Sequence, residues 1–128
     1  MWSKKGNYDK AIEYHEKSLK IRLKIHGNQH PSTAISYNNL GLVWRNKANF
    51  INALSCLESA LAICLKVFGD QHSNTAIAYT HFGNIHNDKN EIHLAKEFYN
   101  KAYFIFIKTF GANHPHTKLL IQKLNDLK

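Results

Sequence analysis

Hydrophobic residues recur at three- and four-residue spacing along most of the chain, which places them on one side of an α-helix. In one segment Tyr37, Leu40 and Trp44 show this spacing. The next segment, from about Phe50 to Phe68, carries apolar and small residues along one side in the same way. The pattern therefore predicts an all-α chain built from consecutive amphipathic helices.

A Gly-x-x-His loop interrupts this pattern three times, starting at Gly27, Gly69 and Gly111, which are 42 residues apart. Residues 27–68 and 69–110 are identical at 14 of 42 positions without a gap. Composition alone gives roughly two or three. Glycine suits the left-handed conformation that follows a helix end. Each repeat therefore reads as two helices that end at a glycine.

The loop residues also predict where the first helix of a repeat begins. Ser32 or Thr33 is expected to cap that helix, because a hydroxyl there accepts a hydrogen bond from an exposed amide.

Trp2 lies 42 residues before Trp44, at the end of a first helix that is otherwise absent, so we expect a truncated array. The register divides one domain into a partial repeat, two complete repeats and a terminal helix, at 1–26, 27–68, 69–110 and 111–128. The other helices are predicted at 8–26, 74–89, 91–110 and 116–127.

Tyr37-x-x-Leu40-Gly41-x-x-Trp44, followed by Ala53-x-x-x-Leu57 and Ala60, resembles the tetratricopeptide repeat. The 42-residue unit with Gly-x-x-His-Pro-x-Thr and Tyr-Asn-Asn-Leu-Gly is similar to the longer repeats of kinesin light chains. The resemblance implies a right-handed α-solenoid of antiparallel helix pairs that acts as a protein-interaction scaffold. Small residues such as Gly41 and Gly83 are expected where paired helices approach closely.

The resemblance also implies a binding groove, because the first helices of tetratricopeptide arrays line the concave side. Asn39 stands where peptide-binding relatives hold a peptide main chain, and an amide both donates and accepts hydrogen bonds. Arg22 stands where kinesin light chains place an arginine that meets acidic cargo, whereas one repeat later these positions hold His81 and Cys64. The groove-facing positions also include Ile35, Ile77, Thr80 and Asp88. The predicted peptide-binding residues are Arg22, Asn38, Asn39, Leu42, Arg45, Asn46, His81, Asn84 and Asn87.

Three alternatives to this groove remain open. The asparagines at 38 and 39 are, in the simplest interpretation, only solvated polar residues. Self-assembly through exposed end faces is the second candidate function. Nucleic-acid contact is a distant third: the net charge of +8 favours acidic partners, but it lies mainly near the ends, and only two of 17 cations are arginine.

Motifs for catalysis or metal binding are not found in the sequence. It has no glycine-rich phosphate loop and no nucleophile motif, so we expect no enzyme activity and no cofactor. Among nine histidines, His81 and His86 are five apart and point in different directions on a helix, so we expect no metal site. The histidines His30, His72 and His114 are expected to be structural residues of the repeated loop.

Cysteine usage and hydropathy suggest a location. Cys56 and Cys64 lie in an apolar helical pattern as packing residues, and no secretory leader precedes them, so we expect a reducing, cytoplasmic environment. No uninterrupted apolar run approaches the roughly 18 residues of a membrane span. We therefore expect no membrane association.

Overall fold

The computed structural model describes residues 5–127, so Trp2 and Lys128 lie outside the described residues. The structure is 83% helical and its described part contains no strand, so the all-α prediction is confirmed. The predicted boundaries agree with the observed ones to within a few residues. The helices are α1 (Lys5–His26), α2 (Pro31–Asn46), α3 (Phe50–Val67), α4 (Ser73–Asp88), α5 (Ile92–Phe110) and α6 (Pro115–Asp126).

The chain divides into two compact units, Met1–Val67 and Phe68–Lys128. In the first unit α2 packs against both α1 and α3, and in the second α5 packs against both α4 and α6. Within each unit the connections are only three or four residues long, so consecutive helices of a unit run antiparallel. The division falls at the end of the first complete repeat.

Close helix contacts at two glycines hold the pairs α2–α3 and α4–α5 together. A Cβ added at Gly41 would lie 3.1 Å from Leu57 Cδ2, and one added at Gly83 would lie 2.5 Å from the Tyr99 ring. Leu57 and Tyr99 are both fully buried. The expected close approach at both glycines is therefore confirmed.

In the core of the second unit, small alanine side chains leave room for two large aromatic side chains. Fully buried alanines of α4 and α5 surround Tyr99 and Phe106, and α6 contributes Leu120. Burial of a side chain of this size stabilises the fold by about 1.5–3 kcal/mol. The buried cluster comprises Ala76, Ala95, Tyr99, Ala102, Ile105, Phe106 and Leu120.

The repeated loop differs from the prediction in its capping residue. His30, not Ser32 or Thr33, caps α2: its Nδ1 accepts a hydrogen bond from the Ser32 amide at 3.0 Å. The Thr33 hydroxyl instead donates backwards to the Gly27 carbonyl at 2.7 Å, where Gly27 adopts the expected positive φ of 78°. The histidines at 72 and 114 cap α4 and α6 in the same way. The predicted structural role of these histidines is thus observed, and it belongs to the imidazole ring.

Among the residues described, one helix, α3, is long and apolar enough to cross a bilayer, with a mean hydropathy of 1.6. Core helices of soluble proteins have the same composition. In this structure α3 packs against α2 through its buried Ala53, Leu57 and Ala60.

The two cysteines occupy different depths of α3. Cys64 is buried, and burial raises the pKa of its thiol. Cys56 is half-buried, yet burial and, secondarily, the negative charge of Glu16 raise the pKa of its thiol to about 11. Both thiols therefore stay protonated near neutral pH, which is the condition of packing residues rather than nucleophiles.

Candidate peptide-binding surface

Helix α2 presents a stripe of four residues that are exposed or half-buried, at successive spacings of four, three and four. This spacing keeps all four on one side of the helix. The stripe extends about 16 Å along the helix axis, which matches about five residues of extended peptide. We call it the α2 stripe; its residues are Ile35, Asn39, Leu42 and Asn46.

Arg22 of α1 lies at the amino-terminal end of the α2 stripe. Its Nη1 donates a hydrogen bond to the Ser32 carbonyl oxygen at 3.0 Å, and Ser32 lies one turn before Ile35. The position of Asn39 is about 10 Å further along the axis. This hydrogen bond uses one of the five N–H groups of the guanidinium and fixes its place.

The predicted residues Asn38 and Arg45 lie one position before stripe residues, and both are half-buried. The side-chain oxygen of Asn38 is buried and has no hydrogen-bond partner among the residues described. An unsatisfied buried acceptor costs about 1–3 kcal/mol. Helix α2 contains no acidic residue, so Arg45 is its only charged side chain. The surface thus combines asparagine amides and a positive charge with the apolar side chains of Ile35 and Leu42.

In the second unit, two of the groove positions predicted on α4, Asn84 and Thr80, make hydrogen bonds within the unit. The Asn84 side-chain oxygen accepts hydrogen bonds from the Tyr99 hydroxyl at 2.6 Å and from Lys123 Nζ at 3.0 Å. Thr80 is buried, and its hydroxyl donates to the Ala76 carbonyl oxygen at 3.0 Å. The Asn84 side-chain oxygen and the Thr80 hydroxyl thus both have hydrogen-bond partners within the unit.

The remaining predicted residues of α4 differ in exposure. Asn87 and Asp88 are exposed at its carboxyl end, while His81 is half-buried. The two units therefore differ: α2 carries an open stripe, whereas α4 is exposed mainly at one end.

Sequence reasoning missed the contacts of Tyr99 and Lys123 with Asn84. A signal was present, because Leu42 and Leu57 of the first repeat are replaced together by Asn84 and Tyr99 in the second. Two polar groups that appear together at packed positions indicate a hydrogen bond between them. The Lys123 ammonium also lies 5.7 Å from the centre of the Tyr99 ring.

His86 is held by two contacts within the second unit. His86 stacks on Phe98 with a centroid distance of 5.4 Å, and its Nδ1 lies 2.7 Å from Glu91 Oε1. That hydrogen bond lowers the pKa of the Glu91 carboxyl group. Among residues 5–127, no group of three His, Cys, Asp or Glu side chains is placed to hold a metal ion.

Known structures share this fold. The chain is similar to BtubC (BKLC) from P. vanneervenii, with a TM-score of 0.84 and 21% identity over 93% of this chain and 48% of that one. It is equally similar, with a TM-score of 0.84 and 21% identity, to a Podosopora anserina putative kinesin light chain with nearly identical TPR-like repeats. That match covers 96% of this chain and 58% of the other. The chain thus spans about half the length of these structures.

Sequence comparison gives the family. No curated protein matches the chain significantly. The family model of the tetratricopeptide repeat matches residues 3–47 and 45–108, which is most of the chain. Its two complete repeats have the 42-residue period and the fold of kinesin-light-chain-like repeats. The chain belongs to the tetratricopeptide repeat family.

Proposed function

We propose that this protein is an interaction scaffold whose α2 stripe binds an extended, acidic peptide. Tetratricopeptide repeats in general are non-enzymatic modules that bind proteins or peptides, which supports the scaffold role. The observation that carries the finer proposal is the open stripe on α2, with Asn39 exposed at its centre and Arg22 at one end.

The peptide main chain is held by the asparagines. The amide of Asn39 donates to a peptide carbonyl and accepts from a peptide N–H, whatever side chains the peptide carries. A further peptide N–H satisfies the Asn38 oxygen, which lacks a partner among the described residues, once its side chain turns outward. Ile35 and Leu42 offer apolar contacts between these polar groups.

The preference for acidic ligands comes from the two arginines. The guanidinium of Arg22 keeps N–H groups beyond the one that binds Ser32, and a carboxylate is their natural acceptor. Arg45 adds a second positive charge on α2, which itself contains no acidic residue.

We expect Asn39→Ala to weaken every peptide ligand about fivefold, because it removes main-chain hydrogen bonds worth on the order of 1 kcal/mol. The acidic probe is the fluorescein-labelled octapeptide GLELDLEG, whose sequence a peptide array can optimise. The neutral probe has the same sequence with Gln in place of each Glu and Asn in place of the Asp. Arg22→Ala should weaken only the acidic probe, by up to about fivefold, and salt should reduce that difference. Fluorescence anisotropy measures all three proteins at two salt concentrations.

Asn113→Ala, which alters an exposed loop asparagine of the second unit, is the matched control and should bind like the wild type. Equal binding by Asn39→Ala and the wild type would contradict the proposed stripe. Nucleic-acid binding would instead give a steep salt dependence that Asn39→Ala leaves unchanged.

Self-association is a second candidate, supported by the surface of α1. Ile21 is 58% exposed, whereas Ile63 and Ile105, at the same position of later repeats, are almost fully buried. Tyr14 and Ile25 are also exposed on α1, and Tyr14 and Ile21 line a depression of about 310 Å³. An apolar strip of this kind drives association when a second molecule covers it.

If α1 mediates self-association, light scattering over a concentration series shows a reversible rise in mass that Ile21→Lys abolishes. The charged side chain would have to be buried without a partner, which is costly. Ile51→Lys is the matched control, because Ile51 is 82% exposed on α3, and it should associate like the wild type. A constant monomer mass for the wild type at high concentration would exclude this function.

A further inference from the structure

The same surface depression occurs once in each unit, at positions 42 residues apart. Each lies between the repeated loop and the two helices that follow it. The first has a volume of about 180 Å³ and the second of about 260 Å³. The first is lined by Asn28, Gln29, Tyr37, Ser59, Ala62 and Ile63. The second is lined by Asp70, Gln71, Tyr79, Lys101, Phe104 and Ile105.

Three of the six lining residues are identical in the two depressions, namely the glutamine, the tyrosine and a buried isoleucine that forms the floor. The other three differ in chemistry. Asparagine becomes Asp70, serine becomes Lys101 and alanine becomes Phe104 in the second unit. The first depression is thus neutral, whereas the second, which we call the Asp70 pocket, carries a carboxylate, an ammonium group and a second aromatic ring.

A cation already occupies part of the Asp70 pocket. Lys101 Nζ lies 5.4 Å from the centre of the Tyr79 ring, within the range of a cation–π contact. Lys101 is exposed, so its flexible side chain also reaches water. The tyrosine ring in this pocket therefore accepts a positive charge, and the lysine that supplies it is replaceable.

The surroundings of the ring favour a flat cation. Asp70 lies near Tyr79: burial and then the Asp70 charge raise the pKa of the Tyr79 hydroxyl, which stays neutral. The Phe104 side chain is 64% exposed and offers an apolar ring surface beside the carboxylate. A guanidinium stacks on aromatic rings and pairs with a carboxylate through two parallel hydrogen bonds, which an ammonium group does not do.

We propose that the Asp70 pocket binds the arginine side chain of a partner protein, which displaces the Lys101 ammonium from the Tyr79 ring. The guanidinium takes the place of the ammonium group on the Tyr79 ring, pairs with the Asp70 carboxylate and contacts the Phe104 ring, while the side-chain oxygen of Gln71 offers a further acceptor. This is a second binding surface, of opposite charge preference to the α2 stripe, and it does not depend on peptide binding there.

The test is an NMR titration of the full chain with N-acetyl-L-arginine N-methylamide. We expect saturable shifts of the Asp70, Gln71 and Phe104 amides and none at Asn28 and Gln29. The citrulline analogue, which has the same shape without the charge, and the corresponding glutamate derivative should cause no saturable shifts. A non-saturable response, or equal binding of the citrulline analogue, would overturn the proposal.

The first repeat supplies matched variants, since each replacement already exists at the corresponding position there. Asp70→Asn and Phe104→Ala should each weaken binding up to about fivefold. Lys101→Ser should bind the arginine probe at least as tightly as the wild type, because the competing ammonium group is removed. Thermal melts confirm that each variant is folded.

Two outcomes separate this arginine pocket from an anion pocket built on Lys101. Binding of the glutamate derivative that is lost in Lys101→Ser would identify an anion pocket and refute the proposal. The first unit allows the reverse experiment. The double variant Asn28→Asp and Ala62→Phe should create saturable binding of the arginine probe there. If it did not, the assigned roles of Asp70 and Phe104 would be contradicted.

Discussion

Gly83→Ala is expected to lower the free energy of unfolding by about 1–3 kcal/mol, although alanine is the better helix former. For a chain of 128 residues this lowers the melting temperature by about 4–11 °C. The added methyl group would lie 2.5 Å from two carbons of the Tyr99 ring, so the ring or the helix must move.

The Tyr99 ring is held on several sides. It is 1% exposed, its hydroxyl donates to Asn84, and the Lys123 ammonium lies over its face. Because these contacts leave the side chain no alternative rotamer, helices α4 and α5 must move apart to admit the added methyl group. Thermal unfolding followed by circular dichroism measures the effect.

Gly41→Ala is the matched control for this prediction. There the added methyl group lies 3.1 Å from Leu57 Cδ2 and 3.2 Å from its Cγ, so a shift of only a few tenths of an ångström relieves the contact, whereas the 2.5 Å contact at Tyr99 needs a larger one. The gain in helix propensity then offsets much of the contact cost, and the melting temperature stays near that of the wild type. Gly41→Leu, by contrast, overpacks the same contact and should cost about 1–3 kcal/mol. Similar melting temperatures for Gly83→Ala and Gly41→Ala would contradict the tighter packing at Tyr99.

The fold could be predicted from the sequence because its determinants are local and repeated. The three loop glycines, at a constant separation of 42 residues, mark the helix ends, and all three adopt positive φ. Gly41 and Gly83 mark the close contacts, since only a residue without a side chain admits the neighbouring helix.

The candidate site was predictable only in part, because exposure depends on contacts between distant residues. Asn39 and Asn84 look alike in sequence, yet Asn39 is exposed whereas Asn84 binds Tyr99 and a lysine 39 residues away. Helical spacing places a residue on a face but does not show which neighbours reach its polar atoms. The two depressions lined by Tyr37 and Tyr79 were missed for the same reason, since each combines residues from a loop and two helices.

The cap prediction failed for a chemical reason. Serine and threonine are the usual capping residues, so Ser32 and Thr33 were the expected ones. A neutral imidazole also has an acceptor nitrogen, and the histidine that recurs at 30, 72 and 114, directly before α2, α4 and α6, was the available signal.

Replacing the capping histidine is expected to destabilise the protein by a comparable amount. His72 has two roles: its Nδ1 accepts from the Asn74 amide at 3.0 Å, and its ring stacks on Phe68 with a centroid distance of 4.3 Å. Loss of an amino-terminal cap costs about 0.5–2 kcal/mol, and an aromatic stack contributes about 0.5–1.5 kcal/mol. His72→Ala removes both and should cost about 1–3 kcal/mol, measured by urea unfolding.

Two further variants separate these roles. His72→Asn keeps a capping acceptor without the ring, and His72→Phe keeps the stack without the acceptor, so each should recover part of the loss. His93→Ala, at an exposed position of α5, should unfold like the wild type. EDTA should leave every unfolding curve unchanged, because no group of three His, Cys, Asp or Glu side chains among residues 5–127 is placed to hold a metal ion. If His72→Ala were as stable as the wild type, the histidine of the repeated loop would have no structural role, and its recurrence every 42 residues would need a ligand to explain it.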